Sequence, residues 1–165
     1  MSGSGSAKEI TFTGTLVELP PGDPDSFETL QKAVLDTGID SIKLGSDIVL
    51  SKRLQGTTPV ARSLAIDGNG HTISGAYPGL WFKGMDSGTV SIQNIAFDGL
   101  KTSSGDRYEG PVSFGPAIFF DMGYFADNWK STAKLIIGDG VQFRNTESVG
   151  DGAGGASGPR TALWK

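Results

Sequence analysis

Hydrophobic and polar positions change their spacing twice along the chain. Residues 8–19 (KEITFTGTLVEL) alternate, with Ile10, Phe12 and Leu16 on one face and Thr11, Thr13 and Thr15 on the other, which predicts a half-buried strand. Pro20-Pro21-Gly22-Asp23-Pro24 breaks it. Residues 26–37 (SFETLQKAVLDT) then carry Phe27, Leu30, Val34 and Leu35 on one face of a helix. Asp25 is placed as its N-cap, with Glu28 three residues on as the partner of a capping box. Gly38 is placed to end it in a left-handed C-cap. No second helical segment follows to receive this apolar face, so the helix is expected to cover the end of a sheet structure.

From Gly38 onward the pattern is short apolar strands separated by Gly, Asp and Asn, and it repeats. Ile42-Lys43-Leu44-Gly45-Ser46-Asp47-Ile48-Val49-Leu50 superimposes on Leu135-Ile136-Ile137-Gly138-Asp139-Gly140-Val141-Gln142-Phe143 without a gap. Residues 64–73 (LAIDGNGHTI) are the same unit with one more residue, and residues 90–97 (VSIQNIAF) the same unit with one fewer. The closing apolar residues Leu50, Ile73, Phe97 and Phe143 are about 23 residues apart, the last interval being doubled, which is the length of one turn of a parallel β-helix. No turn can bury its own inward residues, so turns stack at about 4.8 Å. This predicts Leu44, Ile66, Ile92 and Ile137 in one vertical column. A second unit, Gly79-Leu80-Trp81-Phe82, corresponds to Pro116-Ala117-Ile118-Phe119 and recurs as Thr161-Ala162-Leu163-Trp164. The doubled interval then holds one turn with two insertions, residues 101–114 and roughly 121–132. The competing arrangement is two ordinary turns.

The expected fold class is all-β: a right-handed parallel β-helix with an N-terminal capping strand and one amphipathic capping helix. Residues 1–6 (MSGSGS) look like a linker, 7–40 like the cap, and 41–165 like the stacked turns, truncated at the C-terminal end, where an open edge invites pairing with another strand.

Composition narrows the function. Twenty-five glycines without a collagen period mean many tight turns. A net charge of −4 with mixed signs offers no basic face for nucleic acid and no polybasic patch for a membrane. The absence of cysteine excludes disulfides, thiol nucleophiles and Cys-based zinc sites. No run is long and apolar enough to span a bilayer, and no secretory signal is visible.

The chemistry-bearing residues favour binding over catalysis. Asp67, Asp98, Asp121, Asp127, Asp139 and Asp151 lie at turns, where Asp beside Gly or Asn bonds its own backbone. Clustered carboxylates could also serve acid/base chemistry or hold calcium, but the calcium-binding nonapeptide pattern is missing. His71 is the single histidine and has no nucleophile elbow to serve. Gly68-Asn69-Gly70 lacks the Lys and the strand-to-helix context of a phosphate loop. The aromatic cluster Phe119, Phe120, Tyr124, Phe125 and Trp129, with Asp127 among it, lies in or beside an insertion. Rings on loops of a rigid scaffold anchor sugars or proteins, so Phe120, Tyr124, Phe125, Asp127 and Trp129 are the candidate ligand-binding residues. Packing of these rings into the core is the plainer alternative. No metal or cofactor is implied.

The run IKLGSDIVLS…LAIDGNGHTISG…VSIQNIAFDG…LIIGDGVQFRNT resembles the passenger domains of autotransporter adhesins, with pectate-lyase-like fold, and is similar to polymorphic outer-membrane-protein-like repeats. Gly115-Pro116-Ala117-Ile118 is a degenerate form of their Gly-Gly-Ala-aliphatic motif, and Phe143-Arg144-Asn145 sets the Asn one position early for their Phe-x-x-Asn motif. The resemblance implies a secreted or surface-displayed adhesin of a bacterial outer membrane that binds a carbohydrate or a surface protein, and it carries over no catalytic residue. Two other functions fit such a scaffold: a polysaccharide lyase or glycoside hydrolase, and a structural segment whose open end docks onto a partner β-helix.

Overall fold

The computed structural model describes residues 15–19, 26–53, 63–82, 85–102, 116–120 and 131–148. The expected strand residues Ile10 and Phe12, the N-cap Asp25 and the third repeat at 161–164 lie outside the described residues. Among the described residues the chain is all-β apart from one helix, and no helix is long and apolar enough to cross a membrane.

β1 (Thr15–Leu19) leads to α1 (Ser26–Leu35), followed by β2 (Ile39–Leu44) and β3 (Ile48–Leu50). The next pass of the chain holds β4 (Leu64–Asp67), β5 (Thr72–Gly75) and β6 (Leu80–Phe82). The third holds β7 (Thr89–Gln93), β8 (Ala96–Asp98), β9 (Lys101–Thr102) and β10 (Ile118–Phe120). β11 (Lys134–Ile137), β12 (Gln142–Arg144) and β13 (Glu147–Ser148) begin a fourth. Every strand pairing is parallel, and the sheets run β1-β2-β4-β7-β11, β3-β5-β8-β12, β6-β10 and β9-β13. Each pass therefore visits the sheets in the same order and adds one strand to each of the first two, and among the described residues two passes each contribute to the β6-β10 and β9-β13 pairs.

The sheets enclose one hydrophobic core. Ile66, Ile92, Ile73 and Phe97 are fully buried, while their strand neighbours Ala65, Ser91 and Ser74 point outward, as an alternating strand with one wet face requires. α1 buries Phe27, Leu30, Ala33 and Val34 in that core and packs against β1, β2 and β3. Glu28 accepts a 2.6 Å bond from Lys52, whose ammonium also stands 5.4 Å from the Phe27 ring centroid, tying the helix to the end of β3. The expected Gly38 C-cap is corrected: Gly38 does not have a left-handed backbone, and the helix ends where its N–H bonds the Asp36 side chain at 2.8 Å. The Asp36 carboxylate takes the Gly38 N–H that a left-handed cap would turn back onto the last-turn carbonyls.

Two register expectations are also corrected. Ile66, Ile92 and Ile137 do share a column, but its first-pass member is Ile42, not Leu44, which pairs with Leu19 instead. In the neighbouring sheet the column is Ile48, Ile73, Phe97 and Phe143, with Leu50 opposite Gly75. The steps in these two columns are 24, 26 and 45 residues and 25, 24 and 46, so the repeat is nearer 25 than 23. A slip of two residues leaves every side chain on its own face, and apolar patterning cannot detect it. The second unit was misplaced by one residue: Leu80, Trp81 and Phe82 pair with Ile118, Phe119 and Phe120. The doubled interval holds one pass, since β10 stacks on β6 and β11 on β7; the extra length falls on residues 103–115 and 121–130, outside the described residues.

Candidate functional site

Three outward features could meet a ligand. The first lies on β6 and β10. With Leu80 and Phe82 in the core, alternation turns Trp81 out. Register then places Phe119 beside it, ring centroids 6.4 Å apart and planes at 76°, an edge-to-face pair. The Arg53 guanidinium stacks on Trp81 at 4.6 Å from its centroid. The two rings and the cation form a half-buried amphipathic face, and the residues on either side of β10 are those of the two long connections.

Phe120, the one candidate ligand residue within the described set, points the other way. It packs on Phe82 at 6.3 Å and against the core. Tyr124, Phe125, Asp127 and Trp129 lie outside the described residues, as do Asp121 and Asp151. Sequence reasoning named Phe120 over Phe119 because nothing in an isolated Ile-Phe-Phe run says which ring faces out. The usable signal was its repeat partner, where Trp81 sits between two aliphatic or aromatic core residues.

The second feature is the corner between β4 and β5, and between the equivalent strands of later passes. Asn69 and Asn94 adopt left-handed backbone, with φ of 51° and 50°. Asn is among the few residues that tolerate this conformation. Backbone bonds join the corners of successive passes: the Gly68 N–H donates to the Gln93 carbonyl at 2.9 Å and the Asn94 N–H to the Asp139 carbonyl at 2.9 Å. Asp67 accepts from the Asn69 N–H at 2.8 Å, from Asn94 Nδ2 at 3.3 Å and from Gln93 Nε2 at 3.2 Å. Its carboxylate is thus occupied with turn building. Asp98 sits at the far end of β8 and accepts from Asn145 Nδ2 at 2.8 Å. Among the described residues no three His, Asp or Glu side chains gather. His71 lies 3.3 Å from Asp47 through Nδ1, and the same Asp47 carboxylate accepts the Thr72 N–H at 2.9 Å.

The third feature is a shallow groove of about 410 Å³ beside that corner, lined by Asn69, Thr72, Asn94, Ala96, Gln142 and Arg144 among others. Ala96 lies between Thr72 and Gln142 in one outward column, which leaves a notch one side chain deep. Among the described residues no carboxylate lines the groove, and Arg144 donates to the Gln142 amide oxygen at its rim. Amides, a hydroxyl and a guanidinium suit a hydroxyl-rich or anionic ligand. Sequence reading missed this surface, because β12 looked only like a source of core residues.

Among the described residues the last pass leaves two members of the core columns exposed. Ile137 is 46% exposed and Phe143 50% exposed, although both continue columns that are fully buried one pass earlier. The Phe143 ring stacks flat on Phe97 at 5.6 Å and 11°.

The family model described as "Putative pectate lyase-like adhesive domain" matches residues 25–142, which run from the residue before α1 to the first residue of β12. No curated protein and no solved structure matches the chain.

Proposed function

Because the chain belongs to the pectate lyase-like adhesive domain family, we propose that it is the capped end of a right-handed parallel β-helix whose inserted segments make the adhesive contact. Residues 7–40 form the cap and 41–165 the turns. The observation that carries this reading is the position of β10: it stacks on β6 in register while the chain on both of its sides is lengthened. Side chains on such insertions ride on a stiff stack, so contact residues are held in place at little entropic cost. Tyr124, Phe125, Asp127 and Trp129, which follow β10 in the sequence, supply the rings and acceptors. The ligand is a carbohydrate or a surface protein. The likeness to autotransporter passenger domains supports display at a bacterial outer membrane or secretion.

The test is solid-phase binding of the full chain to immobilised neutral polysaccharides, acidic polysaccharides and cell-surface proteins. Combined Tyr124→Ala, Phe125→Ala and Trp129→Ala substitution should lower binding to the positive surface at least tenfold with the far-UV circular dichroism unchanged. Undiminished binding by this variant would remove the insertions from the contact.

The open columns ending in Ile137 and Phe143 favour a second reading, in which the stack docks onto further β-strand. Light scattering separates the two: association that grows with concentration supports docking, and a constant monomer mass counts against it.

A further inference from the structure

Two positions that withhold a side chain make the groove beside the β4–β5 corner. Ala96 stands between Thr72 and Gln142 in one outward column. Gly140 packs directly on Asn94, where even a Cβ would come within 2.8 Å of Asn94 Oδ1. We propose that this groove holds one acidic sugar residue. Its ring hydroxyls donate to the amide oxygens of Asn69 and Asn94, and its oxyanion, a carboxylate or a sulfate ester, is held by Arg144.

The two ends of the groove differ in hydrogen-bonding sense. Asn69 donates through Nδ2 to the Leu44 carbonyl at 3.3 Å, and Asn94 through Nδ2 to Asp67 Oδ1 at 3.3 Å. With each nitrogen committed, the oxygen is the atom left for a ligand, and an amide oxygen only accepts. Among the described residues neither oxygen takes a hydrogen bond. The two amides belong to successive passes, so they repeat at about the 4.8 Å strand spacing. Both are held by backbone in the left-handed region.

At the other end the groups donate. Arg144 bonds the Gln142 amide oxygen, which leaves Gln142 Nε2 and the remaining guanidinium N–H groups as donors. Among the described residues Arg144 enters no ion pair. Asp98, opposite Arg144 across the strand pair, accepts from Asn145 Nδ2 at 2.8 Å and does not line the groove. A guanidinium fork is matched by a planar or tetrahedral oxyanion.

This polarity selects the ligand. A simple anion leaves both amide oxygens unmet, a neutral sugar leaves the guanidinium uncompensated, and a metal cation is repelled by it. A residue with hydroxyls on one side and an oxyanion on the other satisfies both ends. At about 410 Å³ the groove lies near the lower limit of small-molecule sites, about 300–1,000 Å³, which suits a single ring lying over Ala96. The net charge of −4 does not oppose this, because screening limits distant charges to about 8 Å at physiological salt. The groove belongs to β5, β8, β12 and the corners before them, not to the lengthened segments around β10, so the inference does not rest on the adhesive reading of those segments.

The test is titration of the ¹⁵N-labelled full chain, followed by amide chemical shifts, with methyl β-D-glucuronide and glucose 6-sulfate as probes. Methyl β-D-glucoside, acetate and inorganic sulfate are the controls. Shifts should concentrate at Gly70, Asn94, Ala96, Gly140 and Arg144, and at least one acidic sugar should bind at least fivefold more tightly than the glucoside and than its own free anion. The stronger of the two identifies the oxyanion. Arg144→Gln should weaken that sugar at least fivefold and move the glucoside less than twofold, while Ala96→Leu, which fills the notch, should weaken both. Equal binding of the free anion overturns the proposal in favour of an anion site without sugar contacts. Equal binding of the glucoside, or shifts confined to other residues, overturns it as well. Should Ala96→Leu fail to fold, the wild-type comparison and the exposed Arg144→Gln variant decide alone.

Discussion

Phe97 and Phe143 offer a controlled comparison, because they are the same residue type at successive positions of one column. Phe97 has no exposed surface, with Ile73 on one side and Phe143 on the other, whereas Phe143 keeps half of its surface in solvent. Truncating a fully buried Phe to Ala costs about 3–5 kcal/mol, counting lost transfer energy and the cavity left behind. Phe143→Ala removes the same ring–ring contact but only about half the burial and leaves no closed cavity, so its cost should be roughly 1.5–2.5 kcal/mol. At roughly 2–4 °C of Tm per kcal/mol for a domain of this size, the two variants should melt several degrees apart. Urea unfolding of each, followed by tryptophan emission and by far-UV circular dichroism, gives both the free energies and a check that the two probes coincide. Costs equal within about 0.5 kcal/mol, a typical non-additivity error, would refute the reasoning. They would mean either that Phe97 is not in a sealed column or that Phe143 is covered.

Two further substitutions test local geometry. Gly79→Ala forces a Cβ onto the Ala117 carbonyl and should destabilise by about 3 kcal/mol or more through backbone displacement, while Gly70→Ala, with open space around it but φ of 83°, should cost only about 1 kcal/mol of strain. If the two variants show the same thermal shift, the close approach of β6 to the segment before β10 is wrong. Asp67→Ala removes the shared acceptor of three exposed donors at the corner and should lower stability by about 0.5–1.5 kcal/mol, without altering binding to the surface identified by the solid-phase assay. Binding lost with stability intact would give Asp67 a ligand role that its hydrogen bonds do not suggest.

Much of this protein was legible in the chain itself. The amphipathic helix announced itself through Phe27, Leu30 and Val34, all three of which are buried. The Ile66, Ile92 and Ile137 column and the Ile73, Phe97 and Phe143 column follow from the spacing of apolar residues between Asp, Asn and Gly turns. These features are local or repeat within a few dozen residues, so composition and period suffice to set them.

What the chain alone did not decide is which partner each residue meets across the stack. Ile42 rather than Leu44 completes its column because a shift of two residues costs nothing in face polarity; only the backbone pairing of β2 with β4 selects between them. Phe119 rather than Phe120 faces solvent because β10 takes its phase from β6, some 38 residues earlier. Arg53 meets Trp81, and Arg144 meets the notch at Ala96, for the same reason. Hydrophobic periodicity fixes the side of a strand on which a residue lies, whereas register is fixed by hydrogen bonds between passes, and those exist only once the stack has formed.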